Sequence, residues 1–307
     1  MNDALLANEL NTRFPGLDVR EHEPMSRHTT FRIGGRVSVF CRPGSVEEAA
    51  ALCAFLRDRG VRPFVMGRGS NLLFTDEDLS GVVIQVAENL SNLERTGECT
   101  LYAQAGATLV ALSQSAQREG LSGLEFAGGI PGAVGGGVTM NAGAYGGEMK
   151  DAVTRVDYLD EALQLRSASN RDCAFSYRRS AFSDGGKLIL GAELTLTPAD
   201  PAAVKSRMDA LKEKRVNSQP LNYPSAGSTF KRPAGAFAAQ MIDETGLKGR
   251  RVGGAQVSEK HAGFVINRGG ATCADVLALM EIIQNEVEHC TGIRLEPEVK
   301  VIRELGL

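Results

Sequence analysis

The sequence predicts an α+β protein built from three lobes. Strand-like and helix-like segments are mixed along the chain, and no internal repeat is evident. With 307 residues, 43% of them hydrophobic, the chain can bury a large core. A proline-bounded break at Pro198–Pro201 separates a final segment from the rest. We therefore expect lobes at residues 1–79, 80–198 and 199–307.

The first lobe is predicted to contain a β-α-β unit. A strand-like segment, Arg36–Arg42, precedes a capping box at Ser45–Glu48, which opens a helix that ends near Gly60. A second strand, Pro63–Met66, follows the helix and leads into a glycine-containing loop, Gly67–Asn71. The loop is therefore expected at the end of a strand.

The second lobe is predicted from four strands and one helix. The strands are expected at Gly81–Val86, Thr100–Gly106, Val153–Leu159 and Lys187–Thr197, and the helix at Thr108–Glu119.

The third lobe is predicted to be mainly helical, with a closing strand. Helices are expected at Ala202–Val216, Ala234–Glu244 and Cys273–Cys290, and the strand at Arg294–Arg303, with an edge position or bulge at Pro297. The last helix carries an apolar stripe expected to face the core, formed by Val276, Met280, Ile283 and Val287.

Composition and charge exclude several classes of function. A net charge of −3 argues against general nucleic-acid binding. The polar N-terminus is unlike a secretory signal, and no apolar run is long enough to span a bilayer. The six cysteines and four histidines match no metal pattern, so we expect buried free thiols and no metal. A cytoplasmic protein, without a membrane partner, is expected.

The densest sequence signal is the segment Ala127–Glu148, in which nine residues are glycine. Such a run favours close approach of backbone N–H groups to an anion, often a diphosphate. The alternative is a turn-rich corner or a linker, but a linker would lack apolar residues such as Ile130 and Tyr145. We therefore interpret the segment as part of a ligand site.

The glycine spacings exclude the two commonest phosphate motifs. Neither G-x-G-x-x-G nor G-x-x-x-x-G-K-[ST] occurs in the chain. Two loops in different lobes, Gly67–Asn71 and Gly128–Gly137, could together grip a long dinucleotide. This arrangement is expected of a flavin held across a lobe interface.

Seven stretches in all three lobes resemble the UDP-N-acetylenolpyruvoylglucosamine reductase family. They are HTTFRIGG (His28–Gly35), GRGSNLL (Gly67–Leu73), EFAGGIPGAVGGGVTMNAGAYGGE (Glu125–Glu148), SYRRS (Ser176–Ser180), PSAGSTFKRP (Pro224–Pro233), GGAQVSEKHAGFVIN (Gly253–Asn267) and LEPEV (Leu295–Val299). The short span between Arg179 and Ser228 resembles the shorter, second subtype of that family.

The resemblance implies a three-domain flavoenzyme. Its first two domains would form a vanillyl-alcohol-oxidase/PCMH-type FAD-binding fold, and a C-terminal α+β domain would bind substrate. FAD would be bound non-covalently, and NADPH would be the hydride donor. The implied reaction reduces UDP-N-acetylglucosamine enolpyruvate to UDP-N-acetylmuramate in peptidoglycan precursor synthesis. The flavin would carry the hydride, while the protein supplies position and electrostatics. A monomer is expected.

Three catalytic residues follow from the resemblance. Ser228 matches the proton donor, with Ser225 as its neighbour and competitor, although the residues alone favour backbone capping in a turn as the role of such a serine. Arg178 matches the arginine beside the enolpyruvyl carboxylate, although sequence alone does not separate it from Arg179. Glu298 matches the catalytic glutamate, and Glu296, two residues earlier, would share its face of a regular strand unless Pro297 breaks the register.

The resemblance also implies binding residues. Backbone and small side chains for FAD are expected at Gly67, Arg68, Gly69, Ser70, Asn71, Gly128, Gly129, Ile130, Gly132, Gly135 and Gly137. The nucleotide sugar is expected at Arg215, Lys231 and His261. Tyr145 is expected either against the flavin or in the core of the second lobe.

Two other functions compete with this interpretation. One is an FAD-dependent oxidoreductase of the same fold acting on a sugar or alcohol. The other is a nucleotide-sugar-binding module without activity, which the presence of Ser228, Arg178 and Glu298 disfavours.

Overall fold

The computed structural model describes residues 3–305. Its helices are α1 (Asp3–Arg13), α2 (Val46–Arg57), α3 (Leu109–Arg118), α4 (Val134–Thr139), α5 (Pro201–Ser218), α6 (Ala238–Glu244) and α7 (Cys273–Thr291). Short 3₁₀ turns cover Met25–Arg27, Glu88–Leu90, Glu125–Gly129 and Met149–Asp151.

The strands of the first half are β1 (Asp18–Pro24), β2 (Arg36–Arg42), β3 (Phe64–Met66), β4 (Leu72–Phe74), β5 (Leu79–Gln85), β6 (Leu93–Arg95), β7 (Thr100–Gln104) and β8 (Leu121–Ser122). Those of the second half are β9 (Gly143–Ala144), β10 (Gly147–Glu148), β11 (Val153–Leu159), β12 (Leu165–Ser169), β13 (Leu188–Thr195), β14 (Thr197–Pro198), β15 (Arg251–Val252), β16 (Ala255–Val257), β17 (Val265–Asn267) and β18 (Lys300–Ile302).

The first sheet has the order β1-β2-β5-β3, with β5 parallel to both β2 and β3. The predicted β-α-β unit is present, and Ser45 caps α2 by accepting a hydrogen bond from the Glu48 amide at 3.1 Å. The sequence placed the Gly81–Val86 strand in the second lobe, and this was wrong. Leu79–Gln85 instead completes the first sheet: the strand lies between β2 and β3, and most of its side chains are buried.

The second sheet has the order β12-β11-β13-β7-β6, and all its neighbours are antiparallel. One hydrophobic core runs from α1 and the first sheet through to α3, α4 and β13. The first two lobes therefore share a core, so the separation at residues 79 and 80 does not correspond to two independent cores.

The third region contains the three-stranded sheet β15-β16-β17 and the helices α6 and α7. The apolar stripe predicted on α7 is buried in its core. Thr272 and Asp275 form the capping box of this helix, and Gly292, with a φ of 73°, ends it. The core also takes in Phe31 and Leu73 from the first lobe.

Three predictions for the third lobe need correction. Helix α5 packs mainly against α3 and the Glu125–Gly129 turn of the second lobe, although Lys260 of the third lobe donates to its Val216 carbonyl. Helix α6 begins at Ala238, because Pro233 starts a turn that continues to Ala236. The closing strand covers only Lys300–Ile302, and it pairs in parallel with β4 of the first lobe.

Four cysteines are buried, as the sequence predicts, whereas Cys99 is half-buried and Cys290 is exposed. Among residues 3–305, no helix is long and apolar enough to cross a membrane.

Candidate active site

The loop Gly67–Asn71 connects β3 to β4 and presents free backbone donors. Within residues 3–305, none of its five backbone N–H groups donates a hydrogen bond to another protein group. Gly69 has a φ of 62°, and a Cβ there would overlap the carbonyl oxygen of His28, so only glycine fits. Consecutive unpaired N–H groups of this kind form a concave anion site.

The second glycine-rich loop lies directly against the first. A Cβ on Gly67 would lie 3.4 Å from the Cβ of Ala133, and a Cβ on Gly132 would lie 3.0 Å from the Ser70 Oγ. Glycine at these positions therefore lets the two loops approach each other closely. The two loops that the sequence analysis paired are thus adjacent in the structure.

A cavity of about 460 Å³ opens beside the first loop. Arg68 lines it and pairs with Glu88 at 2.7 Å, while Arg42 pairs with the other oxygen of the same carboxylate at 2.8 Å. Gln85 also lines the cavity and donates to the Gly67 carbonyl at 3.1 Å. The cavity thus begins at Arg68 of the loop and has a polar wall that carries Arg27 and Arg42 as well, which suits an anionic ligand.

Other glycines of the second segment meet protein atoms. A Cβ on Gly135 would lie 3.1 Å from the Ala105 Cβ, and one on Gly137 would lie 3.1 Å from the Leu109 Cδ2. The N–H groups of both glycines already donate to backbone carbonyls. A Cβ on Gly128 would likewise contact Ser113 and Met208. Close packing therefore accounts for part of the glycine content, and the cofactor roles of these residues stay predictions.

Arg178 and Glu298 form an ion pair across two lobes. The Arg178 Nε donates to the Glu298 Oε1 at 2.7 Å, and the side chains are 20% and 13% exposed. The Arg178 Nη2 also donates to the Gly143 carbonyl at 3.3 Å. Arg179 instead pairs with Asp184 at the surface. The structure thereby separates the two arginines that the sequence left equivalent.

The Ser228 turn lies beside this pair. Thr229, its neighbour, accepts a hydrogen bond from the Glu298 amide on its carbonyl at 2.8 Å. Ser228 is half-buried, and its hydroxyl makes no hydrogen bond to the rest of residues 3–305. The hydroxyl of the competing Ser225 also makes no hydrogen bond within these residues, while its carbonyl accepts from the Thr30 hydroxyl at 2.7 Å. Ser228 is thus close to Glu298 and has an uncommitted hydroxyl.

Asn71 joins the first loop to the segment that carries Glu298. Its Nδ2 donates to the Glu298 carbonyl at 3.0 Å, and its own carbonyl accepts from the Lys300 amide at 2.9 Å. Asn71 consequently fixes the loop with the free N–H groups relative to the backbone of Glu298.

Glu298 and Glu296 occupy different environments, because the segment around Pro297 is not a regular strand. Glu296 is 69% exposed and pairs with Lys231, whereas Glu298 is mostly buried. Burial raises the pKa of Glu298 above its usual value, although the positive charges of Arg178 and Lys231 oppose the shift.

Arg215 and His261, both predicted at the nucleotide sugar, are bonded to protein groups. Arg215 is 7% exposed and donates to the Gly129 carbonyl, and its guanidinium lies 5.6 Å from the centre of the Tyr145 ring. His261 accepts from the Gly263 amide at 3.2 Å, and burial lowers its pKa. Tyr145 is 45% exposed, so it does not fill the core.

Asn141 is a site-adjacent residue that the sequence analysis did not single out. It is fully buried, and its side chain bonds to Glu148 and to the carbonyl of Ser176, two residues before Arg178. The only signal in the sequence is an asparagine within a glycine-rich run, a residue type that tolerates a left-handed backbone.

Comparison with known proteins decides the family. A model described as an FAD binding domain matches residues 37–163, and one described as the UDP-N-acetylenolpyruvoylglucosamine reductase C-terminal domain matches residues 219–302. The chain is 45% identical over 283 residues to the UDP-N-acetylenolpyruvoylglucosamine reductase of Caldanaerobacter subterraneus subsp. tengcongensis, covering 92% of this chain and 93% of that one. It belongs to the UDP-N-acetylenolpyruvoylglucosamine reductase family.

Further members of the reductase family support the assignment. The Clostridioides difficile reductase is 44% identical, with 94% of each chain covered. The crystal structure of the reductase from Thermus caldophilus superposes with a TM-score of 0.81 at 34% identity, covering 93% of this chain and 99% of that one. The predicted family and the FAD-binding fold are therefore confirmed.

Proposed function

We propose that this chain reduces UDP-N-acetylglucosamine enolpyruvate to UDP-N-acetylmuramate, with NADPH and FAD, in peptidoglycan precursor synthesis. The observation that carries the proposal is the Arg178–Glu298 pair, held beside both the Ser228 turn and the Gly67–Asn71 loop. Arg178 as the carboxylate-binding group, Ser228 as the proton donor and Gly67–Asn71 as the anion site would act at this one junction, and the family relationship supports the same reaction.

The two glycine-rich loops fit the diphosphate of FAD. Unpaired N–H groups at Gly67–Asn71 supply donors, and Gly132 allows the second loop to close against Ser70. The cavity lined by Arg68 and Gln85 suits the remainder of a dinucleotide. A bound FAD supplies the hydride transfer from NADPH to the enolpyruvyl double bond.

Arg178 would hold the substrate carboxylate. Its Nε is committed to Glu298 and its Nη2 to Gly143, which orients the guanidinium while other N–H groups stay available for an anion. Negative charge develops on the enolpyruvyl carboxylate as the hydride arrives, so a fixed guanidinium stabilises the transition state more than the ground state.

Ser228 would supply the proton. The hydride adds to one carbon of the double bond, and the Ser228 hydroxyl proton adds to the other, which balances the reduction. A hydroxyl is a weak acid, but a carbanion beside a carboxylate is a strong base. Glu298, whose pKa is raised by burial, would help to polarise the enolpyruvyl group.

We infer further that Lys231, Arg215 and His261 contact the nucleotide sugar, and that each would exchange its present protein contact, to Glu296, Gly129 and Gly263 respectively, to do so. The three-domain division, a cytoplasmic location and a monomeric state stay predictions from the sequence.

The visible absorption spectrum of the purified protein tests the proposal. We expect a yellow protein whose flavin band is bleached by NADPH without oxygen and restored by UDP-N-acetylglucosamine enolpyruvate. A colourless protein that does not take up added FAD would contradict the proposal. Rapid reoxidation by oxygen, with no response to the enolpyruvyl sugar, would indicate an oxidase instead.

A further inference from the structure

Arg178 lies in a two-residue turn with an unusual backbone. Ser176 and Arg179 exchange backbone hydrogen bonds of 2.9 and 3.2 Å on either side of Tyr177 and Arg178. Arg178 has a φ of 56°, a value that a long side chain rarely adopts. Such a conformation costs free energy and persists only where the surrounding structure holds it.

Asn141 is the side chain that holds this turn from within the protein. It is fully buried, and its Nδ2 donates to the Ser176 carbonyl at 3.0 Å and to the Glu148 Oε2 at 2.9 Å. Its Oδ1 accepts from the Lys150 amide at 3.0 Å. Asn141 itself has a φ of 42°. Every polar group of its side chain is therefore engaged, which leaves it one orientation.

The chain that follows Asn141 completes the support. The Gly143 carbonyl accepts from the Arg178 Nη2, and Gly143 pairs with Glu148 across a short hairpin. Asn141 thus contacts the hairpin through Glu148, and it contacts the turn that carries Arg178 through Ser176. A change in its side chain would loosen both elements that orient the Arg178 guanidinium.

We propose that Asn141 is a positioning residue for Arg178: by bonding to the Ser176 carbonyl and to Glu148, it aims the guanidinium at Glu298 and at the substrate carboxylate. The inference rests on the role proposed above for Arg178. It predicts that Asn141 affects only the step that uses the enolpyruvyl substrate.

The test compares the two half-reactions of the holoenzyme in Asn141→Gly and Asn141→Asp. Glycine keeps the left-handed backbone without the side chain, and aspartate keeps the shape but loses the donor to Ser176. We expect flavin reduction by NADPH within about twofold of the parent protein. We expect reoxidation by the enolpyruvyl sugar to slow at least about tenfold, as when a transition-state interaction is lost.

Ser183→Ala is the matched control. The Ser183 hydroxyl anchors the same loop to the Thr139 carbonyl at 2.9 Å, and within residues 3–305 it makes no hydrogen bond to Asn141 or Arg178. Its half-reactions should stay within about twofold of the parent values. The pH profile of reoxidation adds a second readout, because a displaced Arg178 no longer opposes the raised pKa of Glu298. The apparent pKa with which Glu298 enters this pH profile should therefore rise in the Asn141 variants and stay at the parent value in Ser183→Ala.

A double-mutant cycle with Arg178→Ala decides whether Asn141 acts through Arg178. Asn141→Gly should cost less than about twofold in the Arg178→Ala background. An equal cost in both backgrounds, equal slowing of both half-reactions, or loss of folding in both Asn141 variants would overturn the inference. If Arg178→Ala itself left reoxidation unchanged, the role proposed for Arg178 would fail first.

Discussion

The folded structure distinguishes Arg178 and Glu298 from neighbouring residues of the same type, which the sequence alone does not do. Adjacent arginines look alike in a sequence, but one of them faces Glu298 and the other faces solvent and Asp184. Pro297 breaks the register between Glu296 and Glu298, so one side chain is exposed and the other buried. Motif matching could find these residues, whereas their orientation depends on contacts across lobes.

Gly69 and Gly60 offer a matched pair for testing the first loop. Both have left-handed backbones, with φ values of 62° and 68°, but a Cβ on Gly60 would meet open space whereas one on Gly69 would overlap the His28 carbonyl. Backbone strain should lower the free energy of unfolding by about 1 kcal/mol in either alanine variant, and the overlap with the His28 carbonyl should lower it further in Gly69→Ala.

Only Gly69→Ala should also weaken FAD binding, by at least about tenfold, because the loop must move and its N–H groups move with it. Titration of the apoprotein with FAD, followed by flavin fluorescence, measures this difference. Equal affinity for FAD in the two variants would show that the loop does not bind the cofactor.

At the scale of elements, the sequence predicted local structure better than partners. The cap of α2 at Ser45 and the buried stripe of α7 were foreseen, because capping and apolar periodicity are local signals. The packing of α5 on the second lobe and the parallel pairing of β18 with β4 were not. Both depend on contacts between segments distant in the chain, which local propensity does not encode.

The N-terminus of α7 is capped from the first lobe. The Asp76 carboxylate accepts from the Cys273 amide at 2.7 Å and from the Ala274 amide at 3.0 Å, while Thr272 caps the same helix from within its own segment. Asp76→Ala and Thr272→Ala should each lower the free energy of unfolding by about 1 kcal/mol, since each removes one cap.

Asp76→Ala should in addition raise the KM for the enolpyruvyl sugar, because it releases the lobe that carries Ser228 and Glu298 from the lobe that carries the Gly67–Asn71 loop. Denaturant unfolding and steady-state kinetics on both variants separate the two effects. A similar change of KM in Thr272→Ala would indicate that the helix, rather than the link between lobes, matters.

The whole molecule brings its candidate site together from four stretches of chain in three lobes. Gly67–Asn71 comes from the first lobe, Arg178 from the second, and Ser228 and Glu298 from the third. The α+β class, the family and the FAD-binding fold were predictable because ordered motifs cover the chain. The shared core of the first two lobes, and the entry of Phe31 and Leu73 into the third, were not, because burial across lobes has no local signature.

The proposed reaction assigns hydride transfer to the flavin and proton transfer to a different group, the Ser228 hydroxyl. Anaerobic stopped-flow kinetics of Ser228→Ala test it most directly, with Ser225→Ala as the matched control from the same turn. We predict that both variants are reduced by NADPH at the parent rate. Reoxidation by the enolpyruvyl sugar should slow by roughly 10²–10⁴-fold in Ser228→Ala alone, as expected for a lost general acid. Reoxidation of Ser228→Ala at the parent rate, or equal slowing in Ser225→Ala, would contradict the account.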